Sequence, residues 1–362
     1  MNLKILHCAD LHIGKKFSYL DASHSSERSK ALRLSLTKIT DFCKENGVDA
    51  LLICGDLFDV PVPTKTDSDF VKKELAKISP IPVFIIAGNH DYLCPDSPFI
   101  REGYFSENVH IFGENESFFV LSEKNAVIWG KSYTSSSCMQ SFSSCSFDND
   151  KINIMCLHGD TVSGSDYNII DSKTLSSLPC HYAAFGHEHS FEEFSFGNVK
   201  CAYCGTPEPH SFSDSGKCGF ALVEIKEGEA SITPIDMSQK KYIHLDIDIT
   251  DKTEDYILKL IYEKINETDF FRIRLTGQYM ENSAPDTSYI EKEVLKKAYF
   301  IDIIDESTVM YDFDSIEREE SLRGEFLRCL RQSTQNEKDF ISCAIIGLDA
   351  LSGNIPDLGG IL

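Results

Sequence analysis

Five short polar groups in this chain hold residue types able to bind metal: Asp10-Leu11-His12, Gly55-Asp56-Leu57-Phe58-Asp59, Gly88-Asn89-His90-Asp91, His158-Gly159-Asp160 and Gly186-His187-Glu188-His189. Carboxylate oxygen, amide oxygen and imidazole nitrogen together suit manganese, iron or zinc rather than a thiol-loving ion. Two such ions about 3.5–4 Å apart can share a carboxylate and a hydroxide, clamping the attacking and leaving oxygens of an in-line displacement at phosphorus. The pattern predicts a metal-dependent phosphoester hydrolase with Asp10, His12, Asp56, Asn89, His158, His187 and His189 as ligands. Taken singly, each group has a plain alternative. D-x-H can be a solvated turn, G-N-H-D a hairpin turn suited to positive φ, and H-x-H a polar strand end. Five in series, each after an apolar run, argue against coincidence.

Those runs are the elements that must position the groups. Leu3–Leu6, Ala50–Cys54, Val83–Ile86, Ile152–Leu157 and Tyr182–Phe185 read as strands, several apolar throughout as strands buried on both faces are. Between them, Leu32, Leu36, Ile39 and Cys43 recur at helical spacing and stop at Asn46-Gly47, and a helix over Phe70–Ile78 closes before Pro80 and Pro82. In such a layered α/β domain, residues just beyond the strand carboxyl ends converge on one edge. Gly55, Gly88 and Gly186 let the backbone turn sharply there. Asp56 follows the central strand of the first three and is the natural bridge between two ions.

Further strands are expected at Val109–Phe112, Phe118–Leu121 and Ala126–Trp129, and a serine-rich surface loop at Ser135–Ser146. After His189 only strands follow: Phe191–Phe196, Lys200–Tyr203, Phe220–Ile225 and Ser231–Pro234. Residues 1–238 therefore read as an α/β (α+β) domain, a two-layer β-sandwich core flanked by helices. Residues 239–312 alternate strand and helix as a small α+β capping, DNA-binding domain: strands at His244–Ile249, Phe271–Leu275 and Tyr299–Ile304, helices at Glu254–Ile265 and Ser288–Ala298. Residues 313–362 are acidic and helical, with Leu322, Phe326 and Leu330 aligned either for docking a partner or for packing on their own domain.

The totals set bounds. A length of 362 residues fits roughly two domains. The excess of 57 acidic over 35 basic residues, net −22, argues against a protein that coats nucleic acid through counterion release. It leaves room for a nuclease, because metal ions bring local positive charge to the phosphate. The 13 cysteines are scattered, and the one C-x-x-C, Cys201 and Cys204, would point to opposite faces of a strand, so reduced buried thiols are expected. With no signal-like apolar start and no run of about 18 apolar residues, a cytoplasmic protein with no membrane segment is expected.

The motif series D-x-H, G-D-x-x-D, G-N-H-D, an isolated His and G-H-x-H resembles the calcineurin-like metallophosphoesterases. Within them it looks most like the Mre11/SbcD nucleases, and among these the YhaO-like bacterial DNA repair exonucleases. Ile5–Gly14, Tyr203-Cys204-Gly205-Thr206-Pro207, Arg272–Gly277 and Leu322-Arg323-Gly324-Glu325-Phe326 carry the likeness, which covers most of the chain and is most specific at the metal motifs. The resemblance implies one metal on Asp10, His12, Asp56 and His189, and another on Asp56, Asn89, His158 and His187. It implies that His90 assists the leaving group without ligating, as proton donor or charge stabiliser. Asp91 would orient that imidazole, and Asp59 is either a partner of a ligand or a turn former. His181 departs from the acidic residue common among relatives and is read as structural. Glu188 is read as solvated, His7 as a core histidine, and His210 as a loop residue that could reach the substrate but is more often idle.

Three functions follow as expectations. The first is a Mn-dependent 3′ to 5′ DNA nuclease in double-strand-break repair, using two metals (manganese, or iron or zinc as purified) and metal-activated hydroxide, with Lys15 and Lys16 on phosphates. It would act with a Rad50/SbcC-like (YhaN-like) ATPase and form a homodimer, as the resemblance implies. The second is a small-molecule nucleotide phosphodiesterase or phosphatase, which the acidic charge favours. The third is a weakly active scaffold for the ATPase, against which the intact ligand set argues.

Overall fold

The computed structural model describes residues 2–137, 147–161, 170, 172–214 and 216–353. Most of the expected loop at Ser135–Ser146, and the end of the C-terminal segment beyond 353, lie outside the described residues. The chain divides into two compact units, Met1–Ile243 and His244–Leu362.

The first unit runs β1 (Asn2–Cys8), α1 (Ala22–Glu45), β2 (Ala50–Cys54), α2 (Lys65–Ala76), β3 (Val83–Ile86), β4 (Val109–Ile111), β5 (Ser117–Leu121), β6 (Ala126–Gly130), β7 (Ile152–His158), α3 (Ser172–Ser176), β8 (Tyr182–Gly186), β9 (Glu192–Phe196), β10 (Val199–Tyr203), β11 (Phe220–Lys226) and β12 (Glu229–Ile235). Two six-stranded sheets result, in the orders β12-β11-β1-β2-β3-β4 and β5-β6-β7-β8-β10-β9. β1 to β4 are parallel, as are β6, β7, β8 and β10.

Alternation along each strand divides its side chains between two apolar layers. Leu52 and Cys54 of β2, Ile154 and Cys156 of β7 and Tyr182 of β8 share one cluster between the sheets. Leu51 and Ile53 pack outward with Leu36, Ile39, Cys43, Val71 and Leu75 of the two long helices. On the other side, Met155, Leu157, Phe185 and Tyr203 pack with Leu175 of α3. Cys201 lies in that outer layer and Cys204 in the inner one, which accounts for a C-x-x-C that cannot pinch a metal. Helix α1 begins ten residues before Leu32, capped by Asp21, whose side chain accepts from the amides of Ser23 and His24. Its first turns are polar and carry no apolar period, so the pattern alone understated its length.

The second unit opens within β13 (Tyr242–Asp248) and continues with α4 (Glu254–Tyr262), β14 (Phe270–Thr276), β15 (Gln278–Met280), α5 (Thr287–Val294), β16 (Phe300–Asp305), β17 (Thr308–Met310), α6 (Phe313–Glu317), α7 (Leu322–Ser333) and α8 (Glu337–Leu351). Its sheet has the order β13-β14-β16, with a separate pair β15-β17 too short to show a pattern in sequence. Of the two alternatives for the α7 stripe, its packing follows the second, against its own unit. Phe326 and Leu330 pack onto the buried cluster of Leu327, Phe340, Ala344 and Leu348, and only Leu322 is well exposed. A side chain at Gly347 would meet the Phe326 ring, so α8 approaches α7 closely there.

Candidate metal centre

Five strand ends supply the predicted ligands, drawn from both sheets of the expected two-layer core. β1, β2 and β3 lead to Asp10 and His12, to Asp56, and to Asn89, while β7 ends on His158 and β8 leads to His187 and His189. The turns that aim these residues are strained. Asp10, His12, Asp56 and His187 have φ of +54°, +44°, +51° and +105°. Left-handed backbone at non-glycine residues costs of order 1–3 kcal/mol each and persists where surrounding structure over-determines it. Neighbouring glycines make room: a methyl at Gly88 would collide with the Asp56 carboxylate, and one at Gly186 with the Cys54 carbonyl and the His158 ring.

The structure brings the predicted donors together in overlapping sets. Asp10, Asp56 and His158 place ligand atoms within 4.8 Å of one another, and so do His12, Asp56 and His90. Asp56 belongs to both sets, as a shared carboxylate must. Its Oδ2 lies 3.6 Å from Nε2 of both His12 and His158. Asn89 Oδ1 stands 2.9 Å from His158 Nε2. His187 takes its place through its backbone N–H, which donates to the Asp10 carboxylate at 3.0 Å. Its ring lies 5.3 Å from that of His158 and its Nε2 3.6 Å from Asp160 Oδ1.

The electrostatics fit cations. Asp10, Asp56 and Asp91 are all buried. Burial raises Asp10 well above the usual carboxylate range, with the Asp56 charge adding to it and His189 opposing. Asp56 is held below that range because His158, His12 and His90 outweigh its burial. Burial lowers His12, lowers His158 to about 4 and lowers His210 well below normal, keeping these rings neutral and able to ligate. His158 Nδ1 lies 2.9 Å from the Cys54 carbonyl, which can only accept, so its proton sits there and bare Nε2 faces the Asn89 oxygen. A buried His12 Nε2 without a hydrogen-bond partner and three crowded carboxylates fit divalent ions held by these residues.

Asp91 does not orient His90. Its carboxylate accepts from the backbone N–H groups of Gly88 (2.7 Å), Phe58 (3.1 Å) and Asp56 (3.3 Å), tying the second and third ligand loops together. Burial, aided by the Asp56 charge, pushes its pKa up to about 8. His90 is exposed, its Nδ1 lying 3.3 Å from the Asp59 carbonyl and its backbone N–H donating to Asp56 Oδ1 at 2.9 Å. Asp59 is the partner of a predicted ligand, 3.2 Å from His12 Nδ1. Lys15 pairs with the same Asp59 carboxylate at 3.6 Å, and Lys16 is exposed.

His210 is not idle on a surface loop: it is buried, with ring centroids 4.9 Å from His12 and 5.0 Å from His189. His181 accepts from the Asn153 amide at 3.1 Å, Glu188 is exposed, and His7 is buried 2.7 Å from the Tyr182 hydroxyl, all as expected. Asp214 went unnoticed in the sequence. It lies 3.1 Å from His189 Nδ1, and because burial is outweighed by that histidine it stays below the ordinary carboxylate range. Nothing in the spacing of Ser211-Phe212-Ser213-Asp214 marks it.

Residues 3–191 match the calcineurin-like phosphoesterase family. The chain is 27% identical over 291 residues to the uncharacterized metallophosphoesterase YhaO of Bacillus subtilis (strain 168), covering 76% of this chain and 69% of that one. It is 25% identical over 349 residues to a subunit of the nuclease SbcCD from Staphylococcus epidermidis, covering 86% of each. Among solved structures, TT1561 of Thermus thermophilus superposes with a TM-score of 0.41 at 9% identity, over 65% of this chain and 99% of that one, too loosely to carry an argument. Among the described residues no helix is long and apolar enough to cross a membrane.

Proposed function

This chain belongs to the calcineurin-like phosphoesterase family, and from that premise we propose that it is a manganese-dependent nuclease hydrolysing DNA phosphodiesters 3′ to 5′ in double-strand-break repair. The observation that carries the reading is the donor set gathered around Asp56, with exposed His90 beside it. Divalent ions bound there supply Lewis acidity and lower the pKa of water. We assign Asp10, His12, Asp56 and His189 to one ion and Asp56, Asn89, His158 and His187 to the other. Asp59 and the Cys54 carbonyl fix the proton positions on His12 and His158, keeping the opposite nitrogens bare. His90, anchored through Nδ1 on the Asp59 carbonyl, would hold or deliver a proton at the leaving oxygen through Nε2. Asp91 acts at one remove, holding the loops that carry Asp56 and Asn89.

DNA as substrate is supported by the match to the SbcCD nuclease chain, which spans 86% of each sequence and so extends past the metal unit. On this reading the second unit engages DNA, and a Rad50/SbcC-like ATPase and a second copy of the chain are the partners. The net charge of −22 favours a second reading, a small-molecule phosphodiesterase. The two separate when purified protein with Mn²⁺ is offered linear duplex, single-stranded DNA, cyclic nucleotides and a chromogenic diester. Nucleotide release from DNA that is lost in His90→Ala supports the nuclease; turnover confined to small diesters overturns it.

A further inference from the structure

Three imidazoles stand at one side of the centre, and one of them has no place in the ligand assignment above. His12, His189 and His210 offer nitrogens within 4.8 Å of one another, and the His12 and His189 ring centroids are 5.4 Å apart. Each ring is held by an oxygen at one nitrogen: His12 Nδ1 by Asp59 at 3.2 Å, His189 Nδ1 by Asp214 at 3.1 Å, and His210 Nε2 by the Thr206 hydroxyl at 3.2 Å. An oxygen partner at the far nitrogen is how a protein fixes the tautomer of a ligating histidine.

The Thr206 contact settles where the His210 proton lies. The hydroxyl has one hydrogen, and its other neighbours are the carbonyls of Asp10 (2.8 Å) and Glu208 (2.9 Å), which can only accept. With that hydrogen given to a carbonyl, the hydroxyl accepts from His210 Nε2–H, the arrangement that satisfies most of these groups. That leaves Nδ1 a bare lone pair, and Nδ1 is buried without a hydrogen-bond partner. A buried acceptor left unpaired is costly unless something else binds it.

The loop is built to keep the ring there. Asp214 bridges two of the rings, meeting His189 Nδ1 with Oδ1 and accepting the His210 backbone N–H at 2.7 Å with Oδ2. Tyr19 donates its hydroxyl to the His210 carbonyl at 2.7 Å. Two residues earlier, Glu208 is locked in a fully buried ion pair with Arg28 at 3.1 Å.

We propose that His210 is an additional protein ligand, binding through Nδ1 the same ion as His12 and His189. This rests on the metal-centre reading above. It makes that position richer in nitrogen than the other, so zinc, iron or cobalt should be preferred there over manganese, which favours oxygen donors.

The test uses the full chain, loaded with Co²⁺, Zn²⁺ or Mn²⁺, and reads metal content and the visible spectrum of bound Co²⁺. His210→Ala is expected to keep one ion tightly, to bind the other about 10–100-fold more weakly, and to change the Co²⁺ spectrum. Its preference for zinc over manganese should fall in a competition between the two. His210→Gln, which fills the volume of the ring, serves equally if the alanine variant fails to fold. Unchanged affinity, spectrum and metal preference in the folded variants, while Asp56→Asn still abolishes uptake, would overturn the role of His210 alone. A wild-type chain that takes up no ion overturns the metal centre itself.

Discussion

His90 and Asp91 are neighbours in the chain with opposite surroundings, and their substitution should separate catalysis from architecture. His90→Ala should lower kcat by about 10²–10⁴-fold while metal content stays at the wild-type level, because the ring is exposed, rests edge-on against His12 and is hydrogen-bonded to the Asp59 carbonyl rather than assigned to an ion. Single-turnover rates and metal analysis on one preparation check both halves. His7 shows a residue that acts on stability alone. Burial lowers its pKa from 6.5 to about 3, so the folded chain keeps the ring neutral while the unfolded chain protonates it below 6.5. The unfolded state then binds the extra proton, and stability present above that pH is lost as pH falls from about 6.5 towards about 3. His7→Asn keeps an acceptor for the Tyr182 hydroxyl and removes the titration. Its melting temperature should therefore decline less than wild type between neutral and mildly acid pH, and parallel declines would refute the assignment.

At the scale of elements, the join between α1 and the loop after β10 is the most exposed to disruption. Arg28 and Glu208 are both fully buried, the guanidinium also donating to the Pro209 carbonyl at 2.7 Å. Burial raises the Glu208 pKa despite Arg28, a sign that desolvation consumes much of the pair's attraction. Arg28→Met should cost about 3–5 kcal/mol by stranding a buried carboxylate, and Arg28→Met with Glu208→Leu should recover most of it. Chemical denaturation of the three proteins decides this; a double variant no better than the single would show that the pair stabilises the loop outright. Neither partner was legible in the sequence, since a pair 180 residues apart leaves no local pattern. The strands and the donor residues at their ends were legible because apolar runs ending in Asp, Asn or His are local signals. Two layers were legible, but the strand order within each sheet, the early start of α1 and the β15-β17 pair were not, since sheet partnership and polar helical turns depend on contacts distant in sequence. Asp214 and the burial of His210 were hidden for the same reason.

The whole molecule carries its charge in the wrong sense for DNA, and that has a measurable consequence. With a net charge of −22, phosphate contacts should be few and the ions should supply most of the local attraction. The slope of log affinity against log salt for a short duplex should therefore be no steeper than about −4, whereas a value beyond about −6 would reveal basic surface contacts. Chelation should also lower the melting temperature, since ions at about 100 times their Kd add about 2.7 kcal/mol to the folded state; an unchanged melting curve would mean that the ions leave folding untouched. The four left-handed residues at the strand ends bear on how such a site ages. Aspartate and histidine are among the few non-glycine residues found at such angles, held there by the structure around them. In a lineage that no longer used the ions, glycine and asparagine would drift in at positions 10, 12, 56 and 187 first, with the strands behind them still intact. Those four angles mark where the backbone has been set for the side chains it carries.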